Sequence, residues 1–183
     1  MSKQQATQLD SARPVIVLVT ICLVSGRLLG VAHALTQPVA EAVAAQRTHD
    51  TYAALVPEAQ DFQALTSTVE GCTAAIAAKD ASGQTVAYVL VAQAKGYGGD
   101  VPLAVAFSPD GSVQRVVALS NSETPGVGKR IAEDDFIGQF AGLPAQEVTT
   151  DQIDTISGAT ISSKAAIAAF DTAVQAFGEV QNQ

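Results

Sequence analysis

TVAYVLVAQAKGYGGDVPLAVAFSPDGSVQRVVALS, residues 85–120, decides the fold. Thr85 to Ala94 is rich in β-branched and apolar residues and reads as a strand. Lys95-Gly96-Tyr97-Gly98-Gly99-Asp100 follows as a glycine-dense loop. Leu103 to Phe107 reads as a second strand. Ser108-Pro109-Asp110-Gly111 is a turn, with proline and glycine where a turn favours them. Val113 to Ser120 is the returning strand. Strands joined by such short connections form a meander, hence an antiparallel sheet. A parallel sheet would need a helix-length crossover between neighbours.

Working outward, Cys72 to Ala78 is a further strand candidate, followed by a turn at Asp80-Ala81-Ser82-Gly83. Asp61 to Val69 favours neither helix nor strand. Glu133 to Phe140 reads as a short helix, and Val148 to Ile156 as an extended lead-in to the C-terminal region. From Lys164 to Phe177 the chain is alanine-rich, with Ile167, Phe170, Val174 and Phe177 three or four residues apart, the spacing of one helix face. The expected class is α+β, a mostly antiparallel sheet with flanking helices in one domain over 58–183.

The N-terminal part is different. Residues 1–13 are polar, and 14–35 are mostly apolar, about 20 residues, enough for one membrane crossing. Lys3 and Arg13 precede the stretch, which puts the tail in the cytoplasm and the domain outside. Ala32-His33-Ala34 also resembles a signal-peptidase site, and Cys22 could be considered for lipidation, although Ile21 is bulky for that. The length favours a retained helix. Cys22, Gly26, Gly30 and Ala34 form a small-residue stripe containing Gly-x-x-x-Gly, suited to close helix packing. Arg27 within the span suggests docking against other membrane subunits. Residues 36–57, with Pro38 and Pro57 near their ends, read as a connecting helix.

The 183 residues carry a formal net charge of −8 and no tryptophan. That balance argues against nucleic-acid binding, which needs a basic surface. Cys22 and Cys72 lie on either side of the domain boundary, and His33 and His49 are not at ligand spacing, so no metal or iron–sulfur site is expected. Cys72 reads as a packed residue, with no cation nearby to activate it. No serine–histidine–acid set suggests hydrolysis.

Three stretches are candidates for a site. The first is the Gly96–Gly99 loop, which is either a flexible connection or backbone brought close to a flat ligand beside Tyr97. The second is Asn121-Ser122-Glu123-Thr124-Pro125-Gly126-Val127-Gly128-Lys129, where Pro-Gly favours a type II turn. The third is Asp154-Thr155-Ile156-Ser157-Gly158-Ala159-Thr160, whose final threonine stands at or just before a helix N-terminus. Such a position suits an anion. The same residue types also serve as an ordinary helix cap.

Asp154-x-x-Ser157-Gly158-Ala159-Thr160 resembles the flavinylation motif of the FMN-binding domain family, found in the G component of Rnf complexes and the C component of sodium-pumping NADH:quinone reductases. The glycine loop and Glu123-Thr124-Pro125-Gly126-x-Gly128 resemble the family's other motifs, in the same order. The resemblance implies FMN joined by a phosphoester to Thr160, attached by a flavin transferase that reads Asp154, Ser157, Gly158 and Ala159. It implies that Thr124 hydrogen-bonds the flavin, with Glu123 and Gly126 shaping their loop and Tyr97 and Gly98 beside it. The family often has histidine where this chain has Asn121. The implied function is electron transfer within a membrane complex coupling ferredoxin:NAD oxidoreduction to Na+ or H+ movement, with other membrane subunits as partners. The chain's length favours the Rnf type over the quinone-reductase type. A different extracytoplasmic electron-transfer chain, or a cofactor-free anchored binding module, are the alternatives.

Overall fold

The structure is a computed structural model that describes residues 14–30, 33 and 50–181. The chain divides into two compact units, 1–49 and 50–183. In the first unit, residues 14–30 are helical and expose Val15, Ile16, Leu18, Leu23, Leu28 and Leu29 to their surroundings. A Cβ added at Gly26 or Gly30 would meet nothing within 4 Å. Among the described residues no helix is long and apolar enough to cross a membrane. The expected span at 14–35 is seen as helix over its described residues 14–30. Ala34 and most of the expected connecting helix, residues 36–49, lie outside the described residues.

The second unit is built on a five-stranded antiparallel sheet in sequence order: β1 Asp61–Leu65, β2 Cys72–Lys79, β3 Thr85–Lys95, β4 Asp100–Phe107 and β5 Val113–Ala118. The meander expected over 85–120 is β3 to β5. Its register pairs Leu90 with Val105 and Ala92 with Leu103. Lys95 Nζ meets Asp100 Oδ1 at 2.8 Å where the hairpin closes. β4 starts three residues earlier than expected and takes in Pro102. Pro102 precedes the first β4–β5 pair, Leu103↔Ala118, and its carbonyl accepts the Leu119 N–H, so the absent proline N–H falls at the end of that ladder. Asp61–Leu65 proves to be a strand. It is an edge strand with largely exposed side chains, so alternation is weak there.

Turns follow their residues. Asp80 Oδ1 accepts from the N–H groups of Ser82 and Gln84 and from the Ser82 hydroxyl, and Gly83 has φ +81°. Glu133 to Phe140 is not one helix. It is a short helix, Asp134–Ile137, followed by a 3-10 turn, Gly138–Phe140, and a separate 3-10 turn over Gly128–Ala132 precedes it. Val148 to Ile156 is irregular rather than extended, with a turn closed by the Gln152 N–H on the Thr149 carbonyl. The Asp171 carboxylate accepts the Val148 N–H at 2.8 Å.

The C-terminal helix Thr160–Val180 lies across one face of the sheet. Ile167, Phe170, Val174 and Phe177 are buried as expected. Phe177 stacks on Phe107 with centroids 4.7 Å apart, and Phe170 contacts Phe140 at 4.8 Å. Each buried aromatic contributes on the order of 1.5–3 kcal/mol by leaving water. The opposite face is lined by small residues, Ala78, Ala87, Ala104 and Ala106, with Val89 and Val91. Leu55 and Val56, at the end of the helical residues 50–55, pack there. Near the helix C-terminus the Glu179 carboxylate accepts from Ser67 Oγ, Thr68 N–H and Thr68 Oγ1, tying the helix to the β1–β2 connection. Cys72 is half-buried and free, and burial pushes its thiol pKa up, as a packed residue should behave.

Candidate functional site

Two loops and one helix N-terminus meet at one end of the sheet's strands. The β3–β4 hairpin supplies Gly96 to Gly99, with the Gly96 N–H on the Gly99 carbonyl at 2.8 Å. The chain after β5 supplies Thr124-Pro125-Gly126-Val127, where the Val127 N–H reaches the Thr124 carbonyl and Gly126 has φ +74°. Proline followed by a left-handed glycine is the type II turn that the sequence predicts. The third part is the start of the C-terminal helix.

Glu123 ties the three together. It is only 2% exposed. Its Oε1 accepts the Gly98 N–H at 2.9 Å, and its Oε2 accepts the Ser162 hydroxyl at 2.6 Å. Burial by itself would raise the carboxyl pKa. The bonds from Ser162 and from the Gly98 and Tyr97 N–H groups outweigh it and hold the pKa below the ordinary glutamate value. The carboxylate is thus an anion at neutral pH. Glycines make room for it. A Cβ at Gly96 would run into Oε1, one at Gly128 into Oε2, and one at Gly98 into the Ser122 carbonyl. Asn121 takes no part in the cavity. Its Oδ1 accepts the Glu123 N–H and its Nδ2 donates to the Leu119 carbonyl, which fixes the approach to Glu123.

Thr160 is the first residue of its helix, and the N-cap is Ala159, whose side chain offers no capping bond. The Thr160 side chain is exposed. The first helical bond runs from the Ser163 N–H to the Ala159 carbonyl, so the N–H groups of Thr160, Ile161 and Ser162 precede it. Gly158, at φ +82°, turns the chain into the helix. Ser163, fully buried, donates its hydroxyl to the Ala159 carbonyl and accepts the Ile156 N–H.

A cavity of about 500 Å³ opens here, within the ~300–1,000 Å³ range of small-molecule sites. Of the expected residues, Tyr97, Glu123, Thr124, Gly158, Ala159 and Thr160 line it. Gly98 acts through Glu123, and Gly126 through the turn. Asp154 and Ser157 are not in this cavity. They line a separate one of about 280 Å³ with Arg130 and Gln139. Val127 and Gly128, from the second candidate stretch but given no role of their own, complete the first cavity with Ile161 and Ser162, which sequence reasoning did not assign to a site. All four lie in or beside the recognised motifs. No periodic pattern marks them, and only the meeting of distant loops selects them. Among the described residues of this unit, the exposed large apolar side chains are Tyr97 (74%), Val127 (43%) and Ile161 (56%), and all three border this cavity.

A cavity that opens at a helix N-terminus suits an anionic ligand, and the FMN-binding domain family matches residues 96–175. The chain belongs to the family of G components of ion-translocating oxidoreductase complexes. It is 36% identical over 165 residues to the G component of the proton-translocating ferredoxin:NAD(+) oxidoreductase complex of Clostridium ljungdahlii, covering 86% of each chain. It is 32% identical over 175 residues to the G component of the ion-translocating oxidoreductase complex of Methanosarcina acetivorans, covering 90% of this chain and 93% of that one. The solved structure of Shewanella oneidensis NqrC shares the fold, with a TM-score of 0.51 at 20% identity over 70% of this chain and 72% of that one.

Proposed function

We propose that this chain carries FMN as a phosphoester on Thr160 Oγ1 and is the flavin-bearing electron-transfer subunit of an Rnf-type complex, one that couples ferredoxin:NAD oxidoreduction to Na+ or H+ translocation. The observation that carries the reading is the state of Thr160. Its hydroxyl is exposed in the cavity, at the first turn of a helix whose cap is another residue. A cofactor-free binding module, with Thr160 as a mere cap, has no support in that geometry.

The residues present fit the group. N–H groups at the helix start and the positive end of its dipole favour a phosphate beside Thr160. Gly158 leaves open space, since a Cβ there would meet nothing within 4 Å. Tyr97, Val127 and Ile161 offer apolar surface to a flat ring, and Thr124 offers a polar contact at its edge. Bound FMN supplies electron transfer; the protein supplies attachment, orientation and surroundings. Glu123 keeps a negative charge against the cavity wall and holds the two loops to the helix.

In this reading a flavin transferase recognises Asp154, Ser157, Gly158 and Ala159. The Thr160 hydroxyl loses its proton as the ester forms, so the added mass is FMN less water. The helix at 14–30 anchors the chain in the membrane, the N-terminus is cytoplasmic, and the FMN domain faces the other side among the complex's membrane subunits. The covalent bond would keep the cofactor from being lost there.

The test is flavin fluorescence after denaturing electrophoresis, with intact mass and peptide mapping, on chain from membranes of a host that has the transferase. A fluorescent band carrying FMN less water at Thr160, absent in Thr160→Ala, is the expected result. A dark band at the unmodified mass would overturn the assignment.

A further inference from the structure

The segment from Asp154 to Ala159 belongs to no helix or strand, yet it is tied at both ends. At its C-terminal end, buried Ser163 holds Ile156 and Ala159. At its N-terminal end the partner is Gln139, in the 3-10 turn Gly138–Phe140. Gln139 Oε1 accepts the Asp154 N–H at 2.7 Å, and Gln139 Nε2 donates to the Asp154 carbonyl at 3.3 Å. A side-chain amide thus pairs with one residue's backbone donor and acceptor, as a neighbouring strand would. Ile153, just before, is anchored in the core. Core burial sets the depth of the chain at this point, and Gln139 sets its direction.

The direction matters because the segment forms a ridge between two hollows. Asp154, Thr155, Ile156 and Ser157 line the 280 Å³ cavity with Gln139, while Gly158, Ala159 and Thr160 line the 500 Å³ one. We infer that Gln139 is a positioning residue for attachment of FMN to Thr160, holding Asp154 so that the start of the motif faces one cavity while the Thr160 hydroxyl faces the other. This rests on the reading of Thr160 as the attachment site. With a flavin adenine dinucleotide donor, attachment forms the Oγ1–P bond and breaks the pyrophosphate P–O bond. Adenosine monophosphate leaves and the hydroxyl proton passes to solvent. Gln139 touches none of the reacting atoms. It raises the fraction of chains presenting the motif in a form that a transferase can bind, and apparent affinity scales with that fraction.

The experiment uses the full chain in detergent, purified flavin transferase and flavin adenine dinucleotide, with initial rates of FMN attachment followed by intact mass against acceptor concentration. Gln139→Ala is expected to raise KM about fivefold, equivalent to about 1 kcal/mol, with kcat and Tm near wild type. Gln139→Glu keeps the acceptor for the Asp154 N–H and loses the donor, so about a twofold rise in KM is expected. It also serves as the comparison should Gln139→Ala lower Tm. Unchanged KM in both variants, or a fall in kcat alone, overturns the inference about Gln139. Wild-type chain that takes up no FMN overturns the reading of Thr160 itself, a result separable from either variant's behaviour.

Discussion

Replacing Glu123 by glutamine keeps the shape of the central tie and removes its charge. The amide oxygen can still accept the Gly98 N–H, and the Ser162 hydroxyl can turn to accept from the new NH2. Hydrogen bonds to a charged group contribute about 1.5–3 kcal/mol and neutral ones about 0.5–1.5. Two such exchanges remove about 2 kcal/mol, partly offset because an anion no longer has to be buried. A net loss of about 1 kcal/mol near neutral pH would lower Tm by roughly 3–5 °C for a unit of this size. The pH dependence is the sharper signature. The folded carboxyl pKa lies below its ordinary value of 4.5. The charge therefore stabilises fully above that value, and its contribution disappears as pH falls through the lower folded pKa. Glu123→Gln has no such dependence at this position, so the gap between the two proteins should close in acid. The assay is thermal unfolding of both chains, made without the transferase, from about pH 3 to 8, where every other carboxylate cancels in the comparison. A gap that stays constant or widens in acid, or a variant more stable than wild type at neutral pH, would refute the claim that the charged tie holds the loops together.

Gly128→Ala places a Cβ 2.8 Å from Ser162 Oγ and against Glu123 Oε2. Overpacking of this kind costs about 1–3 kcal/mol, and an unchanged Tm would show that the loop yields. Ser163→Ala leaves the Ile156 N–H without its acceptor and should cost about 1–2 kcal/mol. It should also lower the fraction of chains carrying FMN by intact mass, and full loading at wild-type rate would count against Ser163 as the second tie on the motif.

The sheet was legible where strands are central. β3 and β4 are buried on both faces, so each is a continuous apolar run between turn residues that admits little else. β1 was not legible, because an edge strand with exposed side chains has no hydrophobic pattern to read. The helix over 160–180 was legible from its buried stripe between Ile167 and Phe177, and its start at Thr160 from the Ser-Gly-Ala-Thr stretch rather than from that stripe. Its first turn is polar, and Ser162 and Ser163 are buried by hydrogen bonds rather than by apolar character. The break within 133–140 was hidden for a related reason. Phe136 and Phe140 have helical spacing, and their contact with each other holds even though the turns between them tighten.

What the sequence by itself determined is whatever depends on near neighbours along the chain: the meander, its turns, the type II turn at Pro125-Gly126, the amphipathic helix, and the three motifs that mark the flavin family. What only the tertiary structure decided is how those motifs share the work. Asp154 and Ser157 face one cavity and Thr160 another. Glu123 joins Gly98 to Ser162 across 25 and 39 residues, and Gln139 holds Asp154 across 15. Such contacts leave no periodic trace, because a single polar side chain meeting a distant backbone group changes neither hydropathy nor spacing. They exist only once the sheet and the helix have brought these separate segments together.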